Sequence, residues 1–449
     1  MKIIILGAGR RGLRLANTLS LEDNDITIID TNEKQTDLAM ARIDCIAYSG
    51  NGISLSDLEE AGVRESDVFI AITGNDEINL ISTAMAKDEF KIPQTICSVK
   101  NLSLLGYRDE NNNSLLGINH IVNPDEEIAS HIYTEIVQGV FKNTISFNNF
   151  KLLLYTVELT KDFPFHDLSI KDINEKIKQN FIIAAILRNN KAIIPSGNTK
   201  LKIDDLITFV AKQNESRKIL SNIGVNKTKA KKVVIVGGNQ TTNFLLNKFT
   251  PKERSNITLI DRNKTVCEKF AQDFPEILVV NGNITDEEIF KECNLFNFDL
   301  LIAITDSDEL NIIVASYAKQ VGISYSMALI KSNNNYIRMA KHLNIDDVIS
   351  TQKVAVDSIT RYLHGDNVKN IHSLFDGQMQ SIELILSKDS PVINKQLKSI
   401  NMKGKGIIAG IIKNDGNTII PNGTYKLEEN DKLIIITTQK AINHILGIF

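Results

Sequence analysis

The chain has 449 residues, more than a single hydrophobic core usually supports, so several domains are expected. Its 51 basic and 54 acidic side chains leave a formal charge of −3, which argues against nucleic-acid binding and against a polybasic membrane anchor. The four scattered cysteines are typical of reduced cytoplasmic thiols, and no apolar run is long enough to span a membrane, so a role at a membrane needs an embedded partner.

The first part of the chain alternates short apolar runs with longer amphipathic stretches. The runs at residues 3–6, 26–29, 68–72 and 95–99 are typical of parallel strands buried on both faces. Because parallel strands need helical crossovers, residues 1–140 are predicted to form a Rossmann-like, doubly wound α/β domain, which we name the first large lobe.

A glycine turn follows the first predicted strand and opens a helix. Its sequence is Gly7-Ala8-Gly9-Arg10-Arg11-Gly12, and Asp30 ends the next strand. The first glycine permits a tight turn, the second lets the backbone approach a pyrophosphate, and the third allows close packing of helix on strand. Asp30 would accept hydrogen bonds from ribose hydroxyls and repel a 2′-phosphate, which favours NAD(H) or an adenine nucleotide over NADP(H). The alternative is a glycine cluster that serves only as a turn.

Further candidates follow from the topology, because ligands of such sheets lie beyond the carboxyl ends of the strands. Gly50, Asn51 and Gly52 end the third strand and are predicted to edge the adenine. Thr73 and Gly74 end the fourth and are predicted to line the ribose or phosphates. Two alternatives stay open: one of Arg10 and Arg11 reaches a distal phosphate or both are solvated, and Asp76 and Asn79 either cap or orient the following helix or contact the ligand.

A small lobe follows at residues 145–225. Apolar runs at residues 181–187 and 192–194 flank Asn189 and Asn190, and a third run covers residues 206–210. This pattern predicts a β-rich α+β domain that contains a hairpin. Residues 124–137 and 352–363 are predicted helices that leave the large lobes, either crossing to a neighbouring domain or ending their own lobe.

The whole arrangement is repeated about 230 residues later, which predicts a second large lobe at residues 232–366 and a second small lobe at 374–449. In the second glycine turn only Gly237 is kept, because Asn239 and Thr242 replace the other two glycines, although Asp261 remains. A β-carbon at position 239 would crowd a pyrophosphate, so the second large lobe is predicted to be a structural or weakly binding copy.

These features together resemble the TrkA-type potassium-uptake regulators, which are built from duplicated RCK modules of TrkA-N and TrkA-C domains. The resemblance rests on the glycine turn with Asp30, on Gly50-Asn51-Gly52, on the paired segments at residues 71–79 and 303–311, and on the Ile-Ile-Pro-x-Gly sequences that end at Gly197 and Gly423. It implies a cytoplasmic protein, peripheral at the inner face of the cell membrane, that binds NAD(H), with ATP or ADP as further ligands. It also implies a ring-shaped homo-oligomer, a dimer or higher, beneath a membrane-embedded potassium transporter subunit. Relatives often carry an arginine pair after the fifth strand, where this chain has Lys100 to keep one phosphate contact.

Two other functions are alternatives to this regulator. An NAD-dependent oxidoreductase needs a proton donor beside the cofactor, yet the seven histidines recur in no motif and the small lobes are short for a substrate domain. A nucleotide sensor with another partner, such as a different channel or an antiporter, is the second rival. The sequence therefore predicts a regulator without enzymatic activity, in which nucleotide binding shifts a conformational equilibrium, through the hinge between large and small lobes, and so gates the transporter.

Overall fold

The computed structural model describes residues 1–22, 24–105, 115–138, 144–147, 151–224, 230–331, 334–363, 368–402 and 404–449. The chain divides into two compact units, and each unit draws on both halves of the sequence. Unit 1 comprises Met1–Tyr133 and Ala230–Ile359, whereas unit 2 comprises Thr134–Lys229 and Thr360–Phe449. The two large lobes therefore form one unit, and the two small lobes form the other.

The first large lobe is a six-stranded parallel sheet with helical crossovers. Its elements are β1 (Lys2–Leu6), α1 (Arg10–Ser20), β2 (Asp25–Asp30), α2 (Glu33–Arg42), β3 (Ile46–Ser49), α3 (Leu55–Glu60), β4 (Val68–Ala71), α4 (Asp76–Asp88), β5 (Gln94–Ser98), β6 (His120–Val122) and α5 (Pro124–Gln138). The strand order is β3-β2-β1-β4-β5-β6, so the direction of winding reverses between β1 and β4. In such sheets the ligand lies at that reversal, beyond the carboxyl ends of the strands.

The core of this lobe explains why its strands are almost wholly apolar. Residues 3–6 of β1 are at most 3% exposed, and residues 68–71 of β4 at most 1%, because helices cover both faces of the sheet. Helix α1 buries Gly12, Leu15, Ala16 and Leu19 against the strands, as the spacing of those residues predicts.

The first small lobe is an antiparallel sheet. Its elements are β7 (Thr144–Phe147), β8 (Leu152–Glu158), α6 (Ile170–Lys176), β9 (Phe181–Arg188), β10 (Lys191–Ile193), β11 (Leu206–Lys212) and α7 (Gln213–Asn222), with the strand order β10-β9-β11-β8-β7. The predicted hairpin joins β9 to β10, and both turn residues are left-handed, with φ of 50° at Asn189 and 58° at Asn190. Two consecutive positive φ angles match the twist of the flanking strands, which is why asparagine suits the turn.

The second large lobe repeats the first. Its elements are β12 (Val233–Val236), α8 (Gln240–Lys248), α9 (Pro251–Arg254), β13 (Ile257–Asp261), α10 (Lys264–Asp273), β14 (Leu278–Asn281), α11 (Glu287–Glu292), β15 (Leu300–Ala303), α12 (Asp308–Gln320), β16 (Tyr325–Ile330), α13 (Asn334–His342), β17 (Asp347–Ser350) and α14 (Thr351–Leu363). The strand order, β14-β13-β12-β15-β16-β17, is that of the first lobe. The predicted fold class, two Rossmann-like sheets each followed by a small α+β domain, is confirmed.

The second small lobe has the elements β18 (Val368–Leu374), β19 (Met379–Ile385), β20 (Gly406–Ile412), β21 (Thr418–Ile419), β22 (Lys432–Thr438) and α15 (Ile442–Leu446). Its antiparallel sheet has the order β18-β19-β22-β20-β21. Within unit 2 the two small lobes share one apolar core, in which Leu152, Leu154 and Val210 pack with Met379, Ile434 and Ile436.

The predicted domain ends at residues 140, 225 and 366 lie outside the described residues, and the boundaries stay predictions. Strand β18 begins at Val368 and pairs with β19, so the sheet of the second small lobe includes residues that precede the predicted start at 374. Among the helices described here, none is long and apolar enough to cross a membrane.

Candidate functional site

The three glycines of the first turn each have a distinct local reason. Gly7 has a φ of 111°, a conformation that side chains with a β-carbon rarely adopt. A β-carbon at Gly12 would lie 1.8 Å from the carbonyl oxygen of Gly7, so only glycine lets α1 pack this closely on β1. A β-carbon at Gly9 would meet nothing within 4 Å, because this part of the turn faces open space. The backbone at Gly9 is therefore the part that a ligand can approach.

Helix α1 begins without a side-chain cap. Gly9 is the N-cap residue in an extended conformation, it has no side chain that could cap the helix, and the first turn holds no acidic residue. The first N–H groups of a helix lack partners within the helix and carry a partial positive charge, so they form a binding site for an anion. The turn can thus accept phosphate oxygens at this end of α1.

Asp30 holds the turn as well as facing the cavity. One carboxylate oxygen accepts a hydrogen bond from the Ala8 N–H at 2.7 Å, and the other accepts from the Asn32 N–H at 2.9 Å. A carboxylate offers about four acceptor positions, so two remain for ribose hydroxyls. Asp261 makes the same two bonds to Gly238 and Asn263. The aspartate is therefore also a structural part of the repeat, which explains why the second lobe keeps it.

Gly50, Asn51 and Gly52 lie beside the third strand but do not line the cavity described below. A β-carbon at Gly50 would meet the Tyr48 ring at 2.5 Å, and one at Gly52 would meet the Leu6 side chain at 2.3 Å. The Asn51 N–H donates to Asp57 at 2.7 Å. Close packing therefore accounts for these glycines, and the predicted contact with adenine stays a prediction.

The segment after β4 is fixed by Asn79, a side chain that is 1% exposed. Its carbonyl oxygen accepts from the Thr73 N–H at 2.9 Å, and its amide donates to the Ser98 carbonyl at 2.9 Å, which ties the ends of β4 and β5 together. Asp76 accepts from the Lys100 and Asn101 N–H groups, and Asn75 caps α4. Asp76 and Asn79 thus orient neighbouring loops and are not the cap.

A cavity of about 670 Å³ lies at the carboxyl edge of the first sheet, within unit 1. That volume is within the range that suits one small-molecule cofactor. Eight of the predicted site residues line it, namely Gly7, Gly9, Arg10, Arg11, Asp30, Thr73, Gly74 and Lys100. The others, Ala8, Gly12, Gly50, Asn51 and Gly52, do not line it, and their predicted contacts with the ligand stay predictions.

The second large lobe contributes the opposite wall of the same cavity. Its lining residues are Asn239, Gln240, Asp306, Lys331, Thr351 and Gln352. None of the six was predicted to line a shared cavity, although each occupies the repeat position of a lining residue in the first lobe. For example, Lys331 corresponds to Lys100, since each donates its N–H to the aspartate that begins the helix after the fourth strand. The repeat could have identified these residues, but not that the two edges face each other.

The charges around the cavity favour an anionic ligand only slightly. Arg10, Arg11, Lys100 and Lys331 are basic, whereas Asp30, Asp125 and Asp306 are acidic. Lys331 pairs with Asp306 at 2.7 Å. Arg11 donates to the Thr73 carbonyl at 3.4 Å. Burial lowers the pKa of Arg11, while the charges of Asp125 and Asp76 act in the opposite direction.

The second glycine turn is closed by its own side chains. Asn239 accepts from the Thr242 N–H at 3.1 Å and donates to the Ile304 carbonyl at 2.5 Å. The Thr242 hydroxyl donates to the Gly237 carbonyl at 2.5 Å, where the first lobe has close glycine packing. A helix N–H that could meet a phosphate in the first lobe is thus already bonded here.

Two domain families match the chain, each of them twice. The TrkA-N domain matches residues 3–124 and 233–351, and the TrkA-C domain matches residues 154–224 and 382–449. These segments coincide with the alternation of large and small lobes.

Curated relatives match along nearly the whole chain. The Trk system potassium uptake protein TrkA of Haemophilus influenzae is 27% identical over 98% of this chain and 96% of its own length. That of Vibrio alginolyticus is 27% identical over 100% and 98%, respectively. Among solved structures, the GsuK channel bound to NAD is 17% identical with a TM-score of 0.57, covering all of this chain and 79% of the channel. The isolated GsuK RCK domain gives 16% and 0.57, covering 95% of that domain, and both structures share the fold.

Proposed function

The chain belongs to the TrkA family, and on that premise we propose that it is the regulatory subunit of a membrane potassium-uptake transporter, which it controls by sensing a nucleotide. The relatives named Trk system potassium uptake protein TrkA match over nearly their entire length, which supports this assignment. We further propose that the protein acts at the cytoplasmic face of the membrane, as a ring-shaped homo-oligomer, a dimer or higher, that contacts an embedded transporter subunit.

One observation carries the ligand proposal: an uncapped helix with a glycine turn opens on a cavity with four basic side chains. Phosphates would accept hydrogen bonds from the turn and from Arg10, Arg11 or Lys100, while Asp30 would accept from ribose hydroxyls. Asp30 disfavours a 2′-phosphate by repulsion, so NAD(H) is the proposed ligand and ATP or ADP the alternative. The GsuK channel, which has the same fold, binds NAD.

The proposed binding is asymmetric. The first large lobe supplies the phosphate-binding turn. In the second large lobe, the side chains of Asn239 and Thr242 already form hydrogen bonds with the backbone of the corresponding turn. A ligand that fills the shared cavity therefore contacts both lobes but is held by the turn of only one. Because the ligand lies between the lobes, its binding energy can shift the equilibrium between their arrangements, and that shift is the signal we propose for the transporter.

The same cavity favours a sensor over the rival oxidoreductase. Among its described lining residues there is no histidine, cysteine, tyrosine or serine, and the acidic residues that line it already accept protein hydrogen bonds or pair with lysine. Hydride transfer to a carbonyl needs a proton donor beside the cofactor. Apart from the acidic residues, Lys100 and Lys331 are the described lining residues that could serve as one, and Lys331 is paired with Asp306. We therefore propose that the nucleotide is bound and released unchanged.

Calorimetric titration of NADH, NAD⁺, ADP and ATP into the full chain tests the ligand proposal. Asp30→Ala and Asp261→Ala are matched variants, because each removes the same two backbone hydrogen bonds from its own turn. Loss of affinity in Asp30→Ala alone would support a nucleotide at the first turn. Equal losses in both variants would contradict the proposed asymmetry, and no binding to the wild-type chain would contradict the ligand proposal itself.

Two further measurements address the partner and the absence of catalysis. Co-purification of the tagged chain with a membrane potassium transporter from native cells should succeed, and native mass spectrometry should show two or more copies of the chain. Steady conversion of NADH in the presence of any carbonyl metabolite would favour the oxidoreductase, since a sensor binds without turnover.

A further inference from the structure

Asp125 lies where the nucleotide cavity meets the second large lobe. It is in the first turn of α5 and lines the cavity together with Arg11. One of its carboxylate oxygens accepts a hydrogen bond from the Thr241 hydroxyl at 2.9 Å, and Thr241, near the start of α8, is only 2% exposed. The same α5 places the Tyr133 ring edge-on against Phe249 just after α8, with ring centroids 5.0 Å apart. Helix α5 therefore contacts both ends of α8.

The charge of Asp125 is felt inside the cavity. It opposes the effect of burial on the pKa of Arg11. The Arg11 guanidinium has five N–H donors, and among the described residues it makes one hydrogen bond, to the Thr73 carbonyl. A phosphate on the glycine turn would therefore find Arg11 able to bind it and Asp125 able to repel it. If the Asp125 carboxylate moves away from the phosphate, the buried Thr241 hydroxyl loses its hydrogen-bond acceptor.

Comparison with the second large lobe shows that the fold does not require this charged pair. The positions of the second lobe that correspond to Arg11 and Asp125 are Thr241 and Gln352, and both are neutral. Gln352 is the second residue of α14, as Asp125 is of α5. The charged pair thus accompanies the open glycine turn and is missing beside the closed one. A purely structural role would not require this difference.

We infer that Asp125 senses the phosphate charge of the bound nucleotide and transmits it to the second large lobe through Thr241. This inference rests on the proposed function and adds to it a residue that discriminates between nucleotides by phosphate charge. Each added negative charge at the turn weakens the contact between Asp125 and Thr241, so ATP loosens α8 more than NADH does. By reciprocity, loosening α8 raises the affinity for ATP relative to NADH.

Two substitutions separate the charge from the hydrogen bond. Asp125→Asn removes the charge but keeps an amide oxygen that can accept from Thr241, whereas Thr241→Val removes the donor and keeps the charge. Glu126→Gln is the matched control, because it removes one charge from the same turn of α5 at an exposed residue outside the cavity. NADH, ADP and ATP are titrated into each full-length variant with a chelator present, so that no divalent cation masks the phosphates.

In Asp125→Asn we expect the affinity for ATP relative to NADH to rise about fivefold, because the variant removes one unit charge whose repulsion of the additional phosphate charge is partly screened by solvent. Hydrogen exchange provides the second readout: in the wild type, ATP should accelerate amide exchange in α8 more than NADH does. In Thr241→Val, amide exchange in α8 should be fast even without nucleotide and should not change when a nucleotide binds. Glu126→Gln should match the wild type.

An unchanged or lower ratio of ATP to NADH affinity in Asp125→Asn would overturn the inference. So would an α8 whose exchange responds to ATP in Thr241→Val as it does in the wild type. Either outcome leaves the proposed function intact, because the wild-type chain would still bind nucleotide. Failure of every nucleotide to bind the wild type would instead overturn the proposed function, and this inference with it.

Discussion

The two glycine turns suggest a substitution that converts the open turn into the closed one. Gly9→Asn places in the first lobe the residue that caps α8 in the second. Gly9 has φ of −68° and ψ of 179°, an extended conformation that any residue adopts, and a β-carbon there would meet no atom within 4 Å. The variant should therefore fold. Its side chain should take up the N–H groups that a phosphate would otherwise use.

The size of the effect follows from the contacts of Asn239. That residue occupies one helix N–H, at 3.1 Å, and bonds to the carbonyl of Ile304, the counterpart of Ile72. Loss of one or two charge-assisted hydrogen bonds to phosphate costs about 2–3 kcal/mol, which lowers the affinity about 30- to 150-fold. Stability should change in the other direction by a few tenths of a kcal/mol at most, because asparagine caps a helix slightly better than glycine.

Titration calorimetry with NADH and ATP measures the affinity, and urea denaturation measures the stability. Gly9→Ala is the control, since it adds the β-carbon without a capping group and should be the less stable of the two variants. The reasoning is refuted if Gly9→Asn binds nucleotide as tightly as the wild type, or if it lowers the urea midpoint below that of Gly9→Ala.

Three further predictions concern the surroundings of the turn. Asn79→Ala should lower stability by about 3 kcal/mol, because it leaves buried backbone groups of Thr73 and Ser98 without partners, and a urea midpoint equal to that of the wild type would contradict this. Gly12→Ala should cost about 2–3 kcal/mol and also abolish nucleotide binding, since its β-carbon must push α1 away from the turn; intact binding in calorimetry would exclude that role. Burial raises the pKa of Cys97 to about 12, so little thiolate exists at mildly alkaline pH and a thiol reagent should label it only after unfolding or as the pH rises further.

Much of the fold could be predicted because its signals are local. Apolar runs located four of the six strands of the first large sheet, β1, β2, β4 and β5, within a residue or two, and the pair Asn189-Asn190 located the hairpin. The duplication predicted the second half from the first, and the structure has the same strand order in both large lobes. Each of these features depends on residues that are near one another in the sequence.

The site could be predicted only in part, because part of it depends on packing between distant segments. Nothing in the pattern around Gly237 indicates that this edge faces the first turn across one cavity, so Lys331 and Gln240 were missed. Only part of the role of Asp30 was predicted, for the same reason. Its hydrogen bonds from the Ala8 and Asn32 N–H groups depend on how β2 ends against the turn. The close approach of Gly52 to Leu6 also depends on packing between distant segments, and the predicted contact of Gly52 with adenine stays a prediction.

The pairing of an open turn with a closed one has a consequence for how such a protein can evolve. When two identical subunits meet around a ligand, every substitution appears on both sides. An asparagine in the phosphate turn would therefore weaken phosphate binding on both sides at once. A fused duplicate escapes this constraint, because Asn239 alters one partner while Gly9 persists in the other. Because both halves belong to one chain, the unequal partners stay in a fixed one-to-one ratio, and one half is free to lose a ligand and keep only its shape.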